Sequence, residues 1–351
     1  MFSTCKKMNI AILLPLKEKY TKISSGAVSL MVNSHLQNSK FRQTTKIYGS
    51  ENKKMLDKKN FIPITSNKFF FTNFFYVKSF EKMIDPKTEI IEIHNRPKYF
   101  FKLKKNFPHI KFCLFFHNNP LDLIGSKSIR ERKYLYKKAD KLVFLSFWMK
   151  NKFFKGFRTS NNKKIKIFYP GVKSIKNFPS KKNIILFVGK LNEAKGFHIF
   201  QKALSKFVLK NKSWRAIAVG IEPRREILPN ENILELGEVS NKKVLNLISD
   251  SKITVACSCW DEPLGRLPIE SSSRGSFPVV SNKGGLTETL SNSFSILKKN
   301  NSEELLKKIE FLSNNPSTLL KFQKKVFMNF KLSLKNTTEK LDCIRLSLFE
   351  K

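Results

Sequence analysis

Acidic side chains are scarce in this 351-residue chain: 27 Asp and Glu stand against 67 Lys and Arg, a formal net charge of +40 at pH 7. So one-sided a surface should attract polyanions, either nucleic acid or an anionic membrane face. Long apolar runs are missing too. No stretch of about 18 uncharged apolar residues occurs, which excludes a membrane-spanning helix. The short run Ile10-Ala-Ile-Leu-Leu14 stops at Pro15 with no small-residue cleavage site, so it reads as a first strand rather than a signal peptide. Five cysteines, none in CxxC spacing, argue against a disulfide framework or a zinc knuckle and for a reducing compartment. Histidines number five and are scattered, and no Asp-x-Asp pair occurs, so no metal ligands are expected. Apolar material is plentiful: 41% hydrophobic residues, 33 of them Phe, exclude global disorder, and the length suits two domains.

The excess charge has a bland source and an informative distribution. Lysine (56) far outnumbers arginine (11), and Lys, Asn, Ile and Phe all have AT-rich codons, so genome bias supplies part of it. Codon bias does not account for the shortage of Asp and Glu. Residues 1–180 hold 38 basic and 10 acidic side chains, a net of +28, whereas 181–351 hold 29 and 17, a net of +12. The first half is therefore the one expected to face an anionic surface.

Short apolar runs alternate with stretches of helical period, the pattern of parallel sheets wrapped by helices. Strands are expected at Asn9–Leu14, Ile90–Ile93, Lys111–Phe116, Lys141–Phe144 and Lys164–Phe168. After Tyr169-Pro-Gly-Val172, the polar stretch Lys173–Lys182 reads as a linker. A second set follows, with strands at Asn183–Val188, Trp214–Val219, Ile233–Leu236, Ile253–Ala256 and Phe277–Val280. Helices are expected at Phe197–Leu209 and Lys242–Asp250, and the chain is helical from Ser302 onward with a break at Pro316. The aromatic segment Phe69–Met83 has two readings, core packing on a sheet or an amphipathic helix entering a membrane with Lys68, Lys78 and Lys82 beside it.

Chemistry is concentrated in Trp260-Asp-Glu-Pro-Leu-Gly-Arg-Leu-Pro-Ile-Glu270, between a strand and a helix. A loop at the carboxyl end of a parallel strand is where such sheets bind ligands. Glu262 and Glu270 suit sugar hydroxyls, since one carboxylate can accept two hydrogen bonds. The amides of Leu264, Gly265 and the helix start offer an anion site. In Gly189-Lys-Leu-Asn-Glu-Ala-Lys-Gly196, Lys190 and Lys195 flank a strand–loop–helix junction suited to a diphosphate. Cys257 and Cys259 read as buried thiols at a strand end, and Arg274 as a local surface feature.

These blocks, with Ser281-Asn-Lys-Gly-Gly-Leu-Thr-Glu288, resemble the C-terminal half of retaining glycosyltransferases of family 4 (glycosyl transferases group 1). Ser24-Ser-Gly-Ala-Val28, Ile90-Ile-Glu-Ile-His-Asn-Arg-Pro97, Phe115-Phe-His-Asn-Asn-Pro120 and Tyr169-Pro-Gly-Val172 extend the likeness, more loosely, into the first half. The resemblance implies a GT-B fold, α/β, with two Rossmann-like domains facing across a cleft. The expected divisions are an acceptor-binding domain at 1–172, a linker at 173–182, a nucleotide-sugar domain at 183–325 and a C-terminal helix at 326–351 packing back on the first domain. It further implies that Glu270 binds the donor ribose and that Glu262 holds sugar hydroxyls beside Leu264 and Gly265. Lys195, with Lys190 and Gly189, would meet the diphosphate, Gly26 would let its loop approach it, and His117 would orient the reacting groups. Lys190 departs from the family's usual Arg, replacing a bidentate fork with a point charge. His94 reads as a structural strand-end residue.

The expected function is metal-independent, retaining transfer from a nucleotide sugar to a glycan or glycolipid, in lipopolysaccharide or other envelope polysaccharide synthesis. No cofactor is expected beyond the donor. The expected partners are the donor, the lipid-linked or glycan acceptor and an anionic membrane, met by a cytoplasmic enzyme at its inner face. Two other classes stand beside it: a non-catalytic GT-B glycan-binding module, favoured by Lys190, and a basic nucleic-acid-binding protein, for which no reader motif is present.

Overall fold

The computed structural model describes residues 7–22, 25–51, 54–65, 72–159, 163–223 and 232–350. It divides into two compact units, 1–171 together with 334–351, and 172–333.

The first unit holds a seven-stranded parallel sheet in the order β3-β2-β1-β4-β5-β6-β7. Its strands are β1 (Ile10–Leu13), β2 (Thr45–Ser50), β3 (Phe61–Ile64), β4 (Ile90–His94), β5 (Lys111–Phe116), β6 (Lys141–Phe144) and β7 (Ile165–Ile167). The helices are α1 (Ala27–Asn38), α2 (Asn73–Met83), α3 (Pro97–Asn106), α4 (Ile129–Lys138) and α5 (Phe147–Phe153). β1, β4 and β6 are buried along their whole length, so they read as apolar runs rather than as alternations, with Glu92, His94 and Lys141 as buried exceptions. β2 and β3 are absent from the expected strands. Lys46 and Gly49 interrupt the first, and Pro63 stands in the second, where it is tolerated because β3 is an edge.

The second unit holds a six-stranded parallel sheet in the order β10-β9-β8-β11-β12-β13. Its strands are β8 (Lys182–Val188), β9 (Arg215–Val219), β10 (Ile233–Glu235), β11 (Ser251–Ala256), β12 (Phe277–Ser281) and β13 (Ile296–Leu297). Around them lie α6 (Phe197–Lys210), α7 (Asn241–Asp250), α8 (Leu267–Ser272), α9 (Ser302–Asn314) and α10 (Pro316–Met328). Phe187, Phe197, Phe200, Phe207 and Phe277 fill one core between the sheet, α6, α9 and α10. Both units thus have doubly wound, Rossmann-like sheets. Each reverses its strand order once, beside β1 and β4 in the first unit and β8 and β11 in the second; the candidate residues follow those strands, except His117, which follows β5 next to β4.

The last helix, α11 (Leu334–Leu346), belongs to the first unit and packs on α1. The returning segment starts at 334, later than the expected 326, because α10 runs on to Met328 and Phe327 packs edge-on to Phe178 in the second unit. α11 is fixed by charge. Arg345 spans both carboxylate oxygens of Glu92 at 2.7 and 2.9 Å and reaches Asp342 at 3.1 Å, with all three side chains buried. Asp342 in turn accepts from the Ser39 hydroxyl at 2.7 Å and the Lys40 amide at 3.0 Å.

Two local expectations change. The linker is not featureless at its end: Lys181 turns inward and donates to the Ser249 and Arg274 carbonyls at 2.7 and 2.6 Å, and β8 starts at Lys182. Arg274 is 5% exposed, not a surface residue: it lies in the tight turn after α8, its guanidinium donates to the Ser273 hydroxyl and its carbonyl is covered by Lys181. The aromatic segment divides between its two readings. Tyr76, Val77 and Phe80 are buried on α2, whereas Phe74 and Phe75 are exposed, and Phe69 to Phe71 lie outside the described residues.

Candidate functional site

In the second unit, β8 runs into Gly189 and the turn Asn192–Gly196 before α6 begins. Gly196 has φ +73°, and a Cβ there would meet the Cys257 carbonyl oxygen at 1.8 Å, so only glycine lets the two loops touch. Cys257 is buried and its thiol donates to the Gly196 carbonyl at 3.1 Å, while Cys259 is exposed, contrary to the expectation of two buried thiols. This contact brings the start of α6 against the end of β11, and with it Lys195 against Glu262.

Glu262 is the hub of the loop. Its Oε1 accepts from Lys195 Nζ at 2.5 Å, the Ser258 hydroxyl at 2.7 Å and the Trp260 indole N–H at 2.9 Å. Lys195 also lies 5.1 Å from the centre of the Trp260 ring, so its ammonium sits between a carboxylate and an aromatic face. The backbone of Glu262 is held from the other side, where the Gly285 amide donates to its carbonyl at 2.7 Å. Gly284, at φ +62°, passes so close that a Cβ would lie 2.0 Å from that same oxygen. The Lys-Gly-Gly block thus fixes the acidic loop from behind.

Glu270 lies in the first turn of α8, buried, and its Oε1 accepts from Arg266 Nε and NH2 at 3.1 and 2.9 Å. Lys195, Glu262, Gly265, Arg266, Glu270 and Leu286 line one cavity of about 290 Å³. Gly265 has φ +82° and packs on Leu286. Among the described residues, neither the Leu264 nor the Gly265 amide has a hydrogen-bond partner. The expected residues Lys195, Glu262, Gly265 and Glu270 therefore converge, with Leu264 adjacent. Lys190 is exposed and is not part of the cavity lining, and Gly189 ends its strand beside the Gly220 turn. The sequence reading did not assign Arg266, Ser258 or Trp260 a role. Arg266 was detectable, since i and i+4 place it beside Glu270 on one helical face.

In the first unit, His94 and His117 end adjacent parallel strands and meet, Nδ1 to Nε2, at 2.9 Å. His94 is thus more than a strand-end residue: its ring stacks on Phe115 at 4.4 Å and contacts His117. Burial pushes the pKa of both rings below the usual histidine range. Asn95 adopts φ +56°, a left-handed conformation that asparagine tolerates, and its side-chain oxygen accepts from the His117 and Asn118 amides at 3.3 and 3.2 Å. Gly26 precedes α1, and the space a Cβ would take there holds the Glu18 carboxylate, which accepts from the Ser29 amide at 2.9 Å. The loop expected to admit a phosphate is capped by this chain's own anion.

Among the described residues, no group of three or more His, Cys, Asp or Glu is arranged to hold a metal. No helix among them is long and apolar enough to cross a membrane.

Residues 172–327 match the family model of glycosyl transferases group 1. Spore coat protein SA of Bacillus subtilis (strain 168) is 24% identical over 234 residues, which is 58% of this chain and 62% of that relative's length. The solved structure of Anabaena Alr3699/HepE in complex with UDP-glucose superposes with a TM-score of 0.77 at 15% identity, covering 96% of this chain and 99% of the other. A glycosyltransferase from Rickettsia africae ESF-5 superposes with a TM-score of 0.74 at 21% identity, covering 99% of this chain and all of the other. With two doubly wound sheets, this chain has the GT-B fold of these solved structures, and its Lys195–Glu262–Glu270 cavity lies inside the segment that is similar to glycosyl transferases group 1.

Proposed function

We propose that this chain is a retaining glycosyltransferase that moves a hexose from a nucleotide-sugar donor, of the UDP-sugar class, to a glycan or lipid-linked acceptor. The observation that carries the reading is the Lys195–Glu262 pair at 2.5 Å in a cavity that also contains buried Glu270. A diphosphate entering there would draw Lys195 from Glu262, and the freed carboxylate would accept from hydroxyls of the transferred sugar. Glu270, oriented by Arg266, is suited to the paired hydroxyls of a ribose. Charge on the leaving diphosphate would be met by Lys195, by Lys190 from the rim and by the open amides of Leu264 and Gly265. In the first unit, His117 would accept from a substrate hydroxyl. Assigning leaving-group stabilisation to lysines makes the reaction metal-independent in this reading, and retention follows from acceptor attack on the face the diphosphate leaves. The UDP-glucose complex of the Anabaena relative supports this donor class, and an envelope polysaccharide, lipopolysaccharide included, is the product we propose.

The test is a thermal-shift panel of UDP-, GDP- and ADP-sugars, followed by NMR of the product anomer. A UDP-hexose at about 100-fold over its Kd should stabilise the chain by about 2.7 kcal/mol. Glu270→Gln should remove most of that shift. Indifference to every nucleotide sugar would sink the reading, an inverted anomer would remove retention, and binding without transfer would favour the non-catalytic module.

We further propose that the basic first unit works as a peripheral protein on an anionic cytoplasmic leaflet. Phe74 and Ile124, 58% and 64% exposed, edge an apolar cavity of about 530 Å³ together with Lys98 and Lys102. Lys102 Nζ stands 4.3 Å from the centre of the Phe74 ring. Apolar side chains beside lysines are the composition that binds at a headgroup boundary. The chain should float with vesicles containing phosphatidylglycerol and not with neutral ones, and Phe74→Ser with Ile124→Ser should weaken flotation at least fivefold. Equal recovery on both vesicle types would end the proposal.

A further inference from the structure

Glu92, on β4, is buried deep in the first unit and no step of the proposed reaction uses it. Its carboxylate is clamped by Arg345, and its Oε2 also lies 3.9 Å from Nε2 of His94. That nitrogen is buried and has no hydrogen-bond partner among the described residues. The other nitrogen of His94 meets His117 Nε2 at 2.9 Å, so one of the two rings donates and the other accepts. We propose that Glu92, clamped by Arg345, is a positioning residue that fixes the tautomers of the His94–His117 pair, so that His117 presents an unprotonated Nδ1 as a hydrogen-bond acceptor for a substrate hydroxyl.

Two arrangements of the pair satisfy that contact. If His94 Nδ1 donates to His117, the His94 Nε2 lone pair is turned toward a carboxylate in a buried setting. If His117 Nε2 donates to His94, the His94 Nε2–H is turned toward that carboxylate instead. The second arrangement replaces a repulsion with an attraction, and at 3.9 Å the effect is one of charge rather than a formed hydrogen bond. Arg345 opposes it at His94, and Glu92 outweighs Arg345 there; Glu18 adds a further negative field. Burial keeps both rings neutral, so the choice lies between tautomers and not between charge states. Arg345 matters because it keeps Glu92 a pure acceptor: a protonated carboxyl could donate to His94 Nε2 and reverse the chain. His117 Nδ1 then has its lone pair outward, on a ring partly open to solvent and with no other partner for Nδ1 among the described residues.

The inference rests on the reading of His117 as substrate-facing, and its test separates the two. The chain has five histidines, so long-range proton–nitrogen imidazole spectra of the full-length, 15N-histidine-labelled protein are tractable. At pH 7.5, His94 and His117 should each be neutral and protonated at Nε2. Glu92→Gln offers an amide donor in place of the carboxylate, and the proton of His117 should move to Nδ1 in most molecules. If that variant fails to fold, Glu92→Gln combined with Arg345→Gln removes both charges and should show the same move. A wild-type His117 protonated at Nδ1 overturns the inference, as does a folded variant with unchanged tautomers. Addition of UDP-glucose then reads the other half. Tautomers as inferred, with His117 signals unmoved when donor and acceptor are both saturating, would remove the substrate contact and leave the role of Glu92 standing.

Discussion

Glu262→Gln is expected to lower kcat/KM for sugar transfer about a hundredfold while leaving the chain folded. Three donors converge on one carboxylate oxygen of Glu262, and two of them, Ser258 and Trp260, are neutral groups that an amide oxygen could also satisfy. Lys195 depends on charge, but a bound diphosphate draws it away, so in the reacting complex the charged carboxylate acts on the sugar hydroxyls. A hydrogen bond to a charged group contributes about 1.5–3 kcal/mol, equivalent to roughly 10- to 150-fold in rate when it is lost from the transition state. Glutamine keeps one acceptor oxygen but loses the charge and turns the other acceptor into a donor, so the upper part of that range applies. Steady-state transfer with UDP-glucose measures it, beside a thermal melt to confirm folding. A variant with wild-type kcat/KM would place the chemistry elsewhere in the chain.

Arg345→Met should cost about 3–5 kcal/mol of stability, the largest loss expected from a single substitution in the first unit. Methionine fills much of the arginine volume, so the loss comes from stranding Glu92 and Asp342 without their cation. The pH dependence makes the mechanism visible. Burial alone would push the Glu92 carboxyl up, but Arg345 outweighs it and holds the group at about 2, against 4.5 for an ordinary glutamate. A depressed pKa stabilises the fold above the unfolded value, and that contribution is lost as pH falls from about 4.5 toward 2. Wild-type melting temperature should therefore drop across that window. In Arg345→Met the dependence should flatten or reverse, because an unpaired buried carboxyl prefers its neutral form. Identical pH profiles for the two proteins would show that the pair does not govern this transition.

Most strands were legible from the sequence because both faces of a parallel sheet are buried, and runs such as Ile184-Ile-Leu-Phe187 admit few other readings. The edges were not. β3 and β13 are short edge strands, the first carrying Pro63, and β2, just inside the edge, is interrupted by Lys46 and Gly49. At the candidate site, Glu262 and Glu270 stood out by rarity in a basic chain, and Lys195 by its junction. What sequence spacing could not give was pairing across long separations. His94 and His117 are neighbours because β4 and β5 are in register, and Arg345 meets Glu92 across 253 positions. Arg274 misled for a related reason: charge implies the surface until a turn is packed over by residues distant in sequence, here Lys181.

The split membership of the first unit also sets an order of events during synthesis. Its sheet is complete by Ile167, yet the helix that neutralises Glu92 is made only after all 162 residues of the second unit, 172–333, have emerged. Until then a carboxylate waits in the interior without its counter-ion, and the groove along α1 that receives α11 stays open. The second unit, continuous in sequence, has no such wait. The nascent first unit therefore lacks the counter-ion of Glu92 for longer than the second unit lacks any of its own parts, and the electrostatic setting of the His94–His117 pair depends on the last helix to be made.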